Sequence, residues 1–426
     1  TQLLAPTTFY EGIRQLGVGE HIRFNRNESR LVSHWRSYAD EHPHKNIQTA
    51  AEAAAALCSD RMGRYAKVSG PIVNDLTGGL DSRLVAASIE KSGAPTYVTV
   101  NGPQNLPDVV LAKKAAELAQ WEMTHFEEPQ CWDHPMSPSL RRELIYRSGG
   151  AKHFGSLYHQ ALTRPKLGQR FNLHTTGVGG EFLRYHPWGQ EFFGLGKRQQ
   201  ANIKNVLKYR FYGSPVPTFL FEENWFPSLN EDYFSRMRAI CDAGQGTRTN
   251  QQLDAIHIWK MTGHVCFYTT SVSNWLPSIA PMMTAGFVET GIAMPWSYRV
   301  TSQLQRLTIS INSPKVAAAK TLYGSTAEPI SLRGAINEIP QIFKRAEHLA
   351  RKVDKVTLSG RLGRLIPPRP VVEKPSAPVL EDTLIQELRN HEMLSQNIYN
   401  TEALAKSLAG SLDDWQSRNM LIQKIA

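Results

Sequence analysis

The chain has 426 residues, 41% of them hydrophobic and 20% charged, the balance of an ordinary globular protein long enough for two domains. No run approaches the roughly 20 apolar residues that span a bilayer, no charged-then-apolar leader opens the chain, and the four cysteines lie far apart, so membrane, zinc-site and disulfide-framework classes are excluded and a cytoplasmic setting is expected. The 48 Lys and Arg against 38 Asp and Glu give a net charge of +10, which favours anionic partners, although Lys344, Arg345, Arg351, Lys352, Lys355, Arg361, Arg364 and Arg369 read as a solvated basic stretch.

The first segment runs Phe9-Tyr10-Glu11-Gly12-Ile13-Arg14-Gln15-Leu16, then Gly19-Glu20-His21-Ile22-Arg23-Phe24, and ends at Ser33-His34-Trp35. Residues 48–67 are Ala-rich with helical spacing and predict a helix packed on a sheet. Residues 71–73 are extended and apolar and lead into Leu76-Thr77-Gly78-Gly79-Leu80-Asp81-Ser82-Arg83, after which Leu84, Val85, Ala86, Ala87 and Ile89 continue as a helix. Adjacent glycines allow a tight turn and close approach of backbone to a ligand. The helix that follows offers unpaired amides and a positive dipole end to an anion. Thr77 and Ser82 add hydroxyls, and Asp81 a carboxylate suited to Mg²⁺. No Lys follows the glycines, so this is not a G-x-x-x-x-G-K-[ST] loop.

Thr96-Tyr97-Val98-Thr99-Val100 predicts a second buried strand, and residues 108–121 an amphipathic helix with Asp108 in its first turn as the dipole prefers. His125 enters another extended piece, and residues 138–163 read as helical. Residues 170–175 are extended and run into a second glycine-rich loop, Thr176-Gly177-Val178-Gly179-Gly180-Glu181-Phe182. Residues 200–340 read as mostly helical and rich in aromatics. Residues 367–378 form a Pro-rich linker, and 379–426 return to amphipathic helix. Alternating strands and helices predict an α/β fold, a parallel sheet flanked by helices with a largely helical C-terminal half. Ligands of such sheets sit outside the carboxyl ends of the strands. The histidines at 42, 44, 257 and 264 lack ligand spacing on any recognisable element and read as core or surface residues.

The first glycine loop resembles the S-G-G-x-D-S loop of N-type ATP pyrophosphatases, and in particular the synthetase domain of the asparagine synthetase family, including its branch with Thr in first place. The second loop resembles that family's S-G-E-G-x-D-E segment. The early x-x-E-G-I-x-x-L-x-x-G stretch is similar to the end of its glutaminase-type domain. The resemblance implies an adenine nucleotide α-hydrolase-like (PP-loop) fold divided into a glutaminase-like remnant (1–45), a synthetase domain (46–345), a basic and Pro-rich linker (346–378) and a C-terminal helical segment (379–426). It implies ATP and Mg²⁺ as cofactors and cleavage between the α and β phosphates. A substrate carboxylate becomes an acyl-adenylate, and an amine then attacks to give an amide, AMP and pyrophosphate.

By the same resemblance, Leu76, Thr77, Gly78, Gly79, Leu80, Asp81 and Ser82 would hold the phosphates, while Thr99, Val100, Thr176 and Gly177 would lie near adenine. Asp81 and Glu181 would hold the metal, Glu181 standing where relatives usually have Asp. Ala319-Lys320-Thr321-Leu322-Tyr323-Gly324 resembles the loop that brings a catalytic Lys to the leaving pyrophosphate, which makes Lys320 the catalytic candidate and Lys315 the reserve.

Val178 departs from the Glu of asparagine synthetases and the Tyr of β-lactam-forming relatives; valine accepts no proton. That favours a divergent member near the lasso-peptide cyclases and β-lactam synthetases, joining a larger carboxylate to a larger amine. With Thr1 where glutaminases use Cys, glutamine hydrolysis is expected to require a separate glutaminase or partner protein. Two other readings stay open: a tRNA-modifying enzyme with the same loop that adenylates a base, and a non-catalytic binding or scaffold protein of the same fold. Nucleic acid ranks below a small-molecule or peptide substrate, because residues 8–38 and the loop at 176–182 resemble the synthetases more, and the nine tryptophans do not interleave with basic residues as a single-strand stacking platform would.

Overall fold

The computed structural model describes residues 12–33, 46–127, 137–147, 154–184, 194–212, 218–243 and 248–330, together with isolated positions elsewhere. The expected linker and the C-terminal helical segment lie almost entirely outside the described residues. The described chain opens on a two-stranded antiparallel ribbon, β1 (Glu20–Phe24) and β2 (Ser29–Ser33), paired with Ile22 opposite Leu31. Val18, just ahead of it, is buried beside Phe182 and Ile258, so this segment is anchored on the main body.

Helix α1 (Ile47–Ser69) starts at Asn46, whose side chain accepts from the Thr49 amide while Thr49 answers at the Asn46 amide. Its alanine face is buried, and Gly70, at φ +83°, turns the chain toward the sheet. Then follow β3 (Ile72–Asp75), α2 (Asp81–Lys91), β4 (Tyr97–Asn101), α3 (Pro107–Ala119) and β5 (Glu122–Phe126). Two further helices, α4 (Pro138–Arg147) and α5 (Phe154–Leu167), precede β6 (Leu173–Thr175). The helical half comprises α6 (Ile203–Val206), α7 (Trp225–Asp242), α8 (Thr249–Lys260) and α9 (Cys266–Val272). After β7 (Ser278–Ile279) come α10 (Ala285–Ile292), α11 (Trp296–Arg299), α12 (Gln303–Asn312) and α13 (Pro314–Ala317).

All five strands of the main sheet run parallel, in the order β5-β4-β3-β6-β7. The chain builds outward from β3 through β4 to β5, then returns to the other side of β3 to lay down β6 and β7. The order therefore reverses between β3 and β6, and a crevice at that reversal is where open α/β sheets take their ligands.

Alternation along β3 directs Ile72 to one face, among Leu84, Val85, Leu304 and Ile309 of α2 and α12. Val73 goes to the other, with Leu167, Phe171 and Leu276. Both faces are covered, as a parallel sheet requires. Among the described residues no helix is long and apolar enough to cross a membrane.

Candidate functional site

The first glycine loop leaves β3 at the reversal point and ends on α2. The Leu76 amide donates to the Thr99 carbonyl (2.8 Å), which ties the loop's start to β4. Asn74, fully buried, donates to the carbonyls of Asp75 (2.7 Å) and Ser82 (3.0 Å) and accepts from the Thr175 hydroxyl (2.9 Å), so one amide side chain clamps strand, helix start and β6 together.

Inside the loop, the Thr77 amide donates to Ser82 Oγ (3.0 Å) and the Gly79 amide to Thr77 Oγ1 (3.1 Å). The Gly78 amide donates to Asp108 Oδ1 (2.8 Å). Asp108, which the sequence suggests is a helix-dipole residue, is thus a brace for the loop. Three amides expected to face phosphates are engaged by side chains here. The Thr77 and Ser82 hydroxyls, 3.0 Å apart, bond to each other, so one hydroxyl proton and the first-turn amides of α2, which have no partner four residues back, are the donors left for an anion.

The second loop lies directly against the first. A methyl group on Gly177 would sit 2.5 Å from the Ser82 amide nitrogen and 2.8 Å from the Asp81 carbonyl carbon, and one on Gly180 would strike the Asp81 carboxylate. Gly179 takes φ +97° with its Cα against the Met282 backbone. The glycines are there because two backbones touch. A third segment closes on the same place: the Leu322 amide donates to the Gly78 carbonyl (2.9 Å), and a Cβ on Gly78 would meet the Leu322 side chain. Buried Arg83 pins this segment, donating to the carbonyls of Ala319 (2.8 Å) and Lys320. Burial pulls the Arg83 guanidinium down to about 10, against the pull of Asp108. Lys320 is therefore fixed through its backbone while its side chain is exposed; Lys315 is also exposed, on α13.

Asp81 and Glu181, predicted from opposite loops, come together. Burial first and the Asp81 charge second push the Glu181 carboxyl up, and Arg184 counters in part. One Glu181 oxygen accepts from the Gly179 amide (2.9 Å). Arg184, which nothing in the sequence singled out, donates to Asp81 Oδ2 (2.5 Å), while Gln305 of α12 donates to Oδ1 (2.6 Å). Burial opposes the charge on Arg184, yet the nearby acidic groups Asp81, Tyr323 and Glu181 hold it above its usual value. Its carbonyl accepts from Arg299 (3.2 Å), itself completely buried and paired through two nitrogens with Asp254 (2.6 and 2.9 Å).

Of the adenine candidates, Thr99 and Val100 are buried on β4, the Thr99 hydroxyl without a hydrogen-bond partner, and Thr176 and Gly177 follow β6 at the mouth of the crevice. Val178 packs with Phe182, Ile258 and Met261, an apolar role that accounts for valine at that position. On the opposite face of β3, Arg164 donates to both Asp75 oxygens (3.0 and 2.9 Å), and His174 Nε2 lies 3.0 Å from Asp75 Oδ2. Burial favours the neutral Asp75 acid, but Arg164 and His174 outweigh it and hold the group well below the usual carboxylate range. The His174 Nδ1 and Ser278 Oγ atoms are 2.9 Å apart. Among the described residues, no group of three or more His, Cys, Asp or Glu could hold a metal by itself. No protein-family profile matches the chain, and no curated protein matches it.

Proposed function

We propose that the chain is an ATP-dependent ligase of the asparagine synthetase-like class, which joins a carboxylate to an amine and releases AMP and pyrophosphate. The observation that carries this reading is the contact of Gly177 and Gly180 with Ser82 and Asp81 at the sheet's reversal point. Two glycine loops from neighbouring parallel strands, with a helix start between them and a lysine-bearing segment bonded to Gly78, make a cradle for a polyphosphate.

Asp81 and Glu181 suit Mg²⁺, which commonly takes one or two carboxylates and completes its shell with phosphate oxygens and water. Their mutual repulsion supplies the attraction for it. When bound, the ion would neutralise charge on the phosphates. The substrate carboxylate attacks the α-phosphorus and pyrophosphate departs; Lys320, on its pinned backbone, meets the negative charge that develops on the leaving oxygens. The amine then attacks the activated carbonyl and AMP leaves. The amine's proton goes to a group other than Val178, whose side chain belongs to the apolar cluster. A small molecule or peptide bearing a carboxylate and an amine fits this chemistry, as does a separate source of nitrogen, and a cytoplasmic setting supplies the nucleotide.

The test is incubation with ATP, Mg²⁺ and a panel of carboxylates and peptides, following AMP and pyrophosphate. Production of ADP would contradict α,β cleavage. Absence of any product across the panel would favour a scaffold of the same fold, and strongly salt-dependent affinity for tRNA would favour base adenylation.

A further inference from the structure

Arg184 is a charged side chain of the cleft that the ligase reading does not use. It follows the second loop, its side chain is 16% exposed, and it spans from the anchored backbone at Arg299 to the Asp81 carboxylate. Its Nε makes no hydrogen bond, and its Nη1 lies at a long 3.4 Å from the Tyr323 hydroxyl. Only one of its nitrogens is thus held closely. Asp81, in turn, offers both oxygens to protein donors, Arg184 and Gln305, so a divalent cation drawn to Asp81 competes with the Arg184 charge for the same carboxylate. Gln305 is fully buried on α12; Arg184 is the partner with room to leave.

The charges agree with such an exchange. Asp81 and Glu181 carry up to two negative charges against one positive charge on Arg184. A guanidinium released from Asp81 is a planar donor suited to phosphate oxygens.

We propose that Arg184 is an exchangeable counter-cation: it neutralises Asp81 when no ligand is bound and passes to the nucleotide's phosphates when a divalent cation takes the two carboxylates. This rests on the phosphate-site reading above and adds a residue to it. It also makes metal and nucleotide binding mutually supportive, since each vacates or occupies what the other needs.

The experiment measures Mn²⁺ binding without nucleotide by electron paramagnetic resonance, and α,β-methylene-ATP binding with Mn²⁺ by calorimetry, in wild type and Arg184→Gln. Losing one charge-assisted hydrogen bond is worth about tenfold or more. We expect Arg184→Gln to bind Mn²⁺ alone about tenfold more tightly and the nucleotide about tenfold more weakly. Unchanged or weaker Mn²⁺ binding, or unchanged nucleotide binding, overturns the exchange. A measurement on wild type covers a variant that fails to fold: labelling of Arg184 by phenylglyoxal, read by mass spectrometry, should rise with Mn²⁺ alone and fall when nucleotide is added. Flat labelling overturns the proposal. Wild type that binds both ligands while Arg184→Gln is unaffected sinks only this exchange, whereas wild type that binds neither sinks the phosphate-site reading together with it.

Discussion

Two arginine–aspartate pairs flank the carboxyl end of β3, one on each face of the sheet, and their surroundings set them apart. Arg164 is 1% exposed and gives one nitrogen to both oxygens of Asp75, with the imidazoles of His174 and His159 rather than a second carboxylate beside the pair, so the charges cancel. Arg184 is 16% exposed, touches one oxygen of Asp81, and faces a second carboxylate in Glu181, so they do not. The same two residue types thus make a fastener on one side and a charge-unbalanced cleft on the other. Cancellation of charge and burial of the cation separate a structural pair from a binding site better than the presence of the pair does.

The contrast is sharpest in the aspartates and their partners. Asp81→Ala should abolish pyrophosphate release while the melting temperature moves less than in Arg164→Met, because its loss relieves Glu181 and leaves that carboxylate beside Arg184. Arg164→Met should do the reverse. It removes a fully buried guanidinium and leaves Asp75 without that cation, which costs roughly 3 kcal/mol and lowers the melting temperature by several degrees. If Arg164→Met melts like wild type, or Asp81→Ala still turns over, the division of labour between the faces is wrong.

Gly177→Ala is a smaller perturbation of the cleft alone. Its methyl meets backbone rather than a yielding side chain, so the loops must part at about 1–3 kcal/mol, with nucleotide affinity falling correspondingly in calorimetry. Wild-type affinity in that variant would mean that the contact between the loops is incidental.

Acid provides the finest probe. Burial lowers His174, against the pull of Asp75, so the native state holds its proton less tightly than the unfolded chain does. Stability from this group is complete above the unfolded value near 6.5 and declines as pH falls below it, by about 1.4 kcal/mol per unit. Asp75, held low, adds its own loss below roughly pH 4. Glu181 works in the opposite sense: a raised carboxyl favours the folded state in acid, and that contribution is lost as pH rises through its native value. Thermal melts between pH 7 and 5 should therefore lose stability in wild type and lose less in His174→Gln.

The sheet and both loops were legible because they rest on local signals. β-Branched runs predict β4, alanine spacing predicts α1 and α3, and paired glycines mark each turn. The Lys320 segment could be found by pattern, but the carbonyl bonds from Arg83 that bring it to Gly78 join residues more than 200 positions apart and leave no local trace. Gln305 and Arg184 were hidden for the same reason: each is an ordinary helix or loop residue until the fold sets it on Asp81. Asp108 shows the converse, since a carboxylate in the first turn of a helix satisfies the dipole preference and leaves no local sign of its bond to the Gly78 amide. Two-residue β7 is too short to carry any periodicity.

The buried Arg299–Asp254 pair carries an architectural lesson. By gripping the carbonyl of Arg184, it roots the residue that meets Asp81 in helices α8 and α11, while α12 sends Gln305 to the other oxygen of Asp81. The helical half is therefore a wall of the cleft, and a minimal β-loop-α fragment cut from this chain would keep the glycines yet lose the scaffolding that aims its acid.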